Sequence, residues 1–222
     1  MRRILLIIAA VIVVAGGIGY TAMTRGAPPV LAAAGTASTT KTSGGTKIPI
    51  LDGDIVLGDR SAPVTIVEYA SLTCPHCADF TKNTLPDVKK NWIDTGKAKL
   101  VFRDYPLDAV AVKAAVIAHC GGPERFFGFV EVFFASQTSW AQASDPVAAL
   151  TRLAKLGGLS DTQVNACLAD EKATNAVIAS RLAAEKQYDV SSTPTFFING
   201  QRLVGDQPYS EFDSALAAAS AS

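Results

Sequence analysis

Cys74-Pro75-His76-Cys77 places two thiols one helical turn apart. A pair at this spacing can close on itself as a disulfide, or open and exchange with another. With Cys74 at a helix N-cap, Pro75 falls at the first helical position, where its missing N–H costs nothing and its fixed φ is already helical. A Cys74 thiolate there accepts hydrogen bonds from the backbone N–H groups of His76 and Cys77 and meets the positive end of the helix dipole. His76, when protonated or donating, adds to this. Since the thiolate exists only in the reduced state, stabilising it makes the disulfide a stronger oxidant. Cys77, one turn further in, faces the domain and is expected to be the resolving thiol. Far downstream, Thr193-Pro194-Thr195 supplies a proline that could be held cis beside the pair.

A metal site is the competing use of Cys74, Cys77 and His76. Structural zinc takes four ligands, usually as two spaced pairs. The other two cysteines, Cys120 and Cys167, stand alone, so no metal ligand is assigned. Four thiols allow three pairings, and an even count suits an oxidising compartment.

The rest of the chain bears on where such a pair would work. Lys+Arg and Asp+Glu both number 20, a formal net charge of zero, which excludes the basic footprint of a nucleic-acid binder. Arg2 and Arg3 precede an apolar run from Ile4 that thins towards Tyr20, the pattern of an export signal. Residues 1–25 are therefore read as a signal peptide or an N-terminal membrane anchor, and 26–47, rich in Gly, Ser, Thr, Ala and Pro, as a flexible linker.

The dithiol must be held by elements around it. Val64–Ala70 is β-branched and apolar, a buried central strand. A helix is expected from the cysteine motif towards Asp94, kinked or broken at Pro86, followed by a strand over Lys99–Tyr105. From Asp108 to Tyr188 the pattern is helical: Ala109–Cys120, Glu124–Ser136 with five phenylalanines, Pro146–Leu156 closed by Gly157-Gly158, a helix after the Ser160–Gln163 capping box, and Asp170–Tyr188. Strands return at Thr195–Ile198 and Gln201–Val204 around Asn199-Gly200, a hairpin turn with both residues at positive φ. A last helix spans Ser210–Ala219. The order describes an α/β domain, 48–107 and 189–222, interrupted by an all-helical insertion, 108–188.

The cysteine motif at a strand-to-helix turn, the Thr193-Pro194 strand with its Asn-Gly hairpin and the Phe-rich segment Arg125–Phe134 together resemble the DsbA family of thioredoxin-fold oxidoreductases, over roughly Ile50 to Ala219. The resemblance implies a thioredoxin fold with an inserted helical domain. It implies Cys74 as the exposed nucleophile, Cys77 as its buried partner and Pro194 as a cis-proline facing them. The backbone of Thr193 would pair with substrate as an added strand. Some relatives carry an additional disulfide in the helical block, so Cys120 and Cys167 are expected to form a structural disulfide, with a redox-tuning pair or free thiols as alternatives.

Glu68 lies where the superfamily often holds a buried acid. It either relays a proton to Cys77 or is a strand-end carboxylate that reaches solvent or pairs with Lys99. His119 is expected on a helix surface, and Trp92 and Trp140 in the core or a groove lining. The implied activity is oxidation of reduced exported proteins through a Cys74 mixed disulfide in the periplasm or cell envelope. A DsbB-like, quinone-linked membrane oxidase would be the reoxidant, and no bound cofactor is needed. The alternatives are an envelope isomerase or reductase, for which Thr193 speaks, a non-catalytic binding protein on the same scaffold, and a dithiol metallochaperone.

Overall fold

The computed structural model describes Gly45 and residues 47–221; the expected leader and almost all of the linker lie outside the described residues. Five strands form one sheet in the order β1-β3-β2-β4-β5: β1 (Val56–Leu57), β2 (Val64–Ala70), β3 (Ala98–Asp104), β4 (Thr195–Ile198) and β5 (Gln201–Val204). β2 and β3 are parallel, with Ile66 opposite Leu100 and Glu68 opposite Phe102, while β4 runs antiparallel to β2 and β5 antiparallel to β4. β2 is central and covered on both faces, as its continuous apolar run requires. Asn199 (φ 45°) and Gly200 (φ 97°) make the expected turn between β4 and β5.

The helical segment after the cysteine motif differs from the simple kinked helix expected. It runs as α1 (Pro75–Asp79), a π-helical turn (Phe80–Thr84), α2 (Leu85–Val88) and a second π-helical turn (Lys89–Ile93). Pro86 lacks an N–H and its ring crowds the preceding turn. The wider π turn, in which the Leu85 N–H reaches the Phe80 carbonyl, absorbs that conflict without ending the helix.

Between β3 and β4 the chain is helical: α3 (Ala109–Cys120), α4 (Pro123–Ala135), α5 (Gln137–Ala141), α6 (Pro146–Leu156), α7 (Asp161–Leu168) and α8 (Glu171–Tyr188). Asp108 caps α3 by accepting from the Ala111 N–H, and both bonds of the Ser160–Gln163 capping box form at α7. The fold is thus a thioredoxin fold with an all-helical insertion. The short α5 was not expected from the sequence.

α4 presents Phe126, Phe129, Phe133 and Phe134 to the core that also holds Trp140, Cys74 and Cys77. Each buried phenylalanine contributes at most about 2–3 kcal/mol of hydrophobic stabilisation. Gly121 and Gly157 flank the Phe129 ring so closely that a Cβ at either would lie 2.3 Å from it. The face of β2 bearing Ile66 packs with Phe80, Phe196 and Phe212; the opposite face, bearing Val67 and Tyr69, packs with Tyr105, Phe197 and Val190. α9 (Tyr209–Ser220) closes the first of these layers through Phe212 and Leu216. Trp92, partly buried, donates from Nε1 to Asp213 on α9 at 2.8 Å.

Candidate active site

β2 ends at Ala70, and Ser71-Leu72-Thr73 turn the chain so that Cys74 becomes the N-cap of α1, with Pro75 at the first helical position. Cys74 has extended geometry (φ −80°, ψ 120°). Both thiols are free, and both are enclosed: Cys77 is fully buried and Cys74 only 4% exposed. This corrects the expectation of an exposed Cys74. The Thr193 carbonyl lies 3.4 Å from its sulfur, so the end of the loop preceding β4 sits directly against it. The Thr193–Pro194 peptide bond is cis.

Three groups hold Cys74 down to about 6 against desolvation: the Cys77 thiol, which donates to it, then Thr193, then the backbone N–H groups of Cys77 and His76. The Thr193 hydroxyl has no other partner and is buried, so it is available to the thiolate. No side-chain capping bond is closed at Cys74 in the thiol form; the helix-terminal N–H groups act on the charge. His76 acts on the sulfur through its backbone, while its imidazole is exposed and lies near the Asp206 carboxyl.

Cys77 is pushed the opposite way, well above the ordinary thiol range. Burial does most of this, followed by its hydrogen bond to Cys74 and the charges of Cys74 and Glu68. Glu68 itself is 2% exposed, between Phe102 and Phe196 in register on the sheet face beneath the pair. Its Oε1 has no hydrogen-bond partner. Burial and then the Cys74 charge raise its carboxyl to about 8. The alternative partner, Lys99, instead donates to the Ala62 carbonyl. Glu68 is therefore a buried acid that holds its proton at neutral pH.

The structure brings Cys74, Cys77, Pro75, Glu68, Thr193 and Pro194 together. It does not bring Cys120 and Cys167 there: they form a disulfide between α3 and α7, with Cα atoms 6.0 Å apart. His119 is on the helix surface as expected, but it is also tied down, with Nε2 2.7 Å from Asp104 Oδ2 and its ring 4.5 Å from that of Phe126. Among the described residues no group of three His, Cys, Asp or Glu side chains could hold a metal ion, and no helix is long and apolar enough to cross a membrane.

Sequence reasoning missed several residues that brace the cysteine turn. Thr73 Oγ1 donates to Asp108 Oδ2 at 2.7 Å, the Ser71 hydroxyl accepts from the Leu107 N–H, and Gln137 on α5 donates to two carbonyls of the turn. Only Asp108 had a local signal, its position before an apolar helix.

A thioredoxin family model matches residues 51–218. A Rickettsia prowazekii protein grouped by name with the protein-disulfide oxidoreductases is 35% identical over 150 residues; the match covers 67% of this chain and 55% of that one. The chain thus spans little more than half the length of that relative. Disulfide bond formation protein D of Bacillus subtilis is 27% identical over 176 residues, covering 76% of this chain and 78% of that protein. Among solved structures, that of α-DsbA1 from Wolbachia pipientis superposes with a TM-score of 0.73 at 32% identity, covering 78% of this chain and 93% of that one.

Proposed function

The chain belongs to the DsbA family of thioredoxin-fold proteins, and from that premise we propose that it is a thiol–disulfide oxidase acting on exported proteins. The observation that carries this reading is the opposed tuning of the two thiols, Cys74 held at about 6 and Cys77 pushed up.

A substrate thiolate attacks Cys74 Sγ of the Cys74–Cys77 disulfide. The substrate–Cys74 bond forms, the Cys74–Cys77 bond breaks, and Cys77 leaves with the electron pair. Because a Cys77 thiolate is strongly disfavoured, it takes up a proton, and Glu68, still protonated at neutral pH, is the buried acid placed to supply one. A second substrate thiolate then attacks its partner sulfur in the mixed disulfide and expels Cys74, whose low pKa makes it a good leaving group. The substrate is oxidised by two electrons and the dithiol is reduced. The Thr193 backbone, against Cys74, is the edge on which an extended substrate segment would pair.

At pH 7 a thiol at 6 rather than 9 stabilises the reduced form by about 1.4 kcal/mol, ~30 mV in favour of oxidising power. The reading places the protein in the periplasm or cell envelope, supported by Arg2, Arg3 and the apolar run after them, and assigns reoxidation to a DsbB-like, quinone-linked membrane oxidase. An isomerase reading draws on Thr193 before the cis-proline. Oxidised chain added to a reduced, unfolded protein should form disulfides, one per chain alone and catalytically when oxidised glutathione is supplied as terminal oxidant, and Cys74→Ser should abolish this. Turnover confined to already scrambled disulfides would favour the isomerase, and full function of Cys74→Ser would leave only a binding role.

A further inference from the structure

We infer that Gln137 is a positioning residue for the cysteine turn: from the helical insertion, its side-chain amide holds the carbonyls of Leu72 and Cys74 on either side of Thr73. Gln137 Nε2 donates to Leu72 O at 2.8 Å and to Cys74 O at 2.9 Å. All three residues are buried. The Cys74 carbonyl also accepts the first helical bond, from the Ala78 N–H at 3.2 Å, whereas the Leu72 carbonyl has no backbone donor among the described residues. Without Gln137 it would be a buried acceptor with no partner, and the turn would shift to find one.

The consequence reaches the sulfur. The groups favouring the Cys74 thiolate are directional: the Cys77 thiol, Thr193 and two N–H groups at the start of α1. They converge on Sγ only while the Cys74 peptide planes keep their orientation, and the Cys74 carbonyl belongs to one of those planes. Gln137 is itself fixed, because α5 is anchored by buried Trp140, whose Nε1 donates to the Phe133 carbonyl at 2.7 Å. No other side chain between Ala109 and Tyr188 hydrogen-bonds to residues 71–74 among the described residues. The helical insertion thus reaches the cysteine turn through two side chains, Asp108 at Thr73 and Gln137 at Leu72 and Cys74, besides apolar packing, and of these only Gln137 binds the Cys74 backbone.

The inference rests on Cys74 being the low-pKa sulfur that carries and leaves the mixed disulfide, so the native chain serves as its own control. The reduced native chain, Gln137→Met and Gln137→Glu are titrated at Cys74 by thiolate absorbance and by alkylation rate against pH. Methionine keeps the length and removes both donors; glutamate keeps the shape and turns acceptor oxygens towards two carbonyls. Both are near-isosteric; a rise in the methionine variant supports the assignment, since an ionised glutamate raises the midpoint by its charge alone, and an unmoved midpoint in either variant that folds counts against it. The native chain should titrate near 6. Each variant should titrate about one unit higher, with about tenfold slower alkylation below that midpoint. A purely structural role would lower the melting temperature and leave the midpoint in place. A native midpoint near 6 that neither variant moves overturns the Gln137 assignment while the reading of Cys74 stands; a native midpoint near 9 overturns that reading and the assignment with it.

Discussion

Cys77 lies one turn inside the helix that Cys74 caps, and a Cys74 thiolate draws its largest stabilisation from the Cys77 thiol, the same interaction that ranks second in raising Cys77. Two cysteines of identical chemistry thereby become an acidic leaving group and a thiol that must be protonated when it leaves. Burial alone would push both in the same direction. The asymmetry comes from Cys74 sitting at the helix terminus, with donors converging on it, while Cys77 lies one turn inside.

Removing that donor is the first test. Cys77→Ala should raise the Cys74 midpoint from about 6 by about one unit or more, towards the ordinary thiol value. Thiolate absorbance against pH reads this directly. A midpoint unchanged in Cys77→Ala would mean that Thr193 and the N–H groups suffice.

Glu68 sets a stability slope of its own. Its folded value of about 8 lies above the ordinary 4.5, so the folded chain keeps a proton that the unfolded chain releases. Stability contributed by this group is therefore full at low pH and is lost as pH rises from about 4.5 through about 8. In the disulfide form Cys74 carries no charge and only burial acts, which isolates the effect. Glu68→Gln should make the disulfide form more stable at pH 7, by up to about 3 kcal/mol, and flatten its stability above about 4.5. Denaturant unfolding at several pH values checks it; an equally steep slope in the variant would contradict it.

The ion pair between Arg103 and Asp54 is a structural counterpart. Both side chains are less than 10% exposed, Nη2 and Oδ2 are 2.6 Å apart, and the same guanidinium holds the Tyr69 hydroxyl and the Pro49 carbonyl. Asp54→Asn leaves a buried guanidinium without its counter-charge, and should cost about 3 kcal/mol in denaturant unfolding with Cys74 titration unchanged.

The Cys120–Cys167 disulfide closes a loop with a sequence separation of 47. In the chain-entropy model, replacing both by serine should cost about 4 kcal/mol of stability. The Cys74–Cys77 potential should stay where it is, since the two pairs sit in different elements. A potential that moves with the serine variant would give the second disulfide a redox-tuning role.

Much of this was legible because it is local. The β-branched run at Val64–Ala70, Asn199-Gly200 between two short apolar runs, Asp108 before an alanine-rich stretch and the Ser160–Gln163 box each contain their own physical cause. So does the thiol chemistry, since Pro75 inside the cysteine spacing already places Cys74 at an N-cap. What escaped depends on contacts between distant segments. α5 is five residues, Gln-Thr-Ser-Trp-Ala, too short for a period and poor in strong helix formers. It forms because Trp140 is buried, and Gln137 has meaning only where α5 meets the turn at Leu72–Cys74. The enclosure of Cys74 is of the same kind, since it depends on a loop more than a hundred residues away. The π turn before Pro86 follows from a conflict between the proline and a core that keeps the helix going.

The most direct test is the equilibrium of the Cys74–Cys77 couple with glutathione as a function of pH, with the Cys120–Cys167 disulfide intact. Below about 6 reduction takes up two protons, and above it one, so the potential should fall by ~59 mV per pH unit and then by ~30 mV, with the bend near 6. The account predicts that bend, together with a couple more oxidising than glutathione at pH 7. A couple more reducing than glutathione, or a line without a bend near 6, would contradict it.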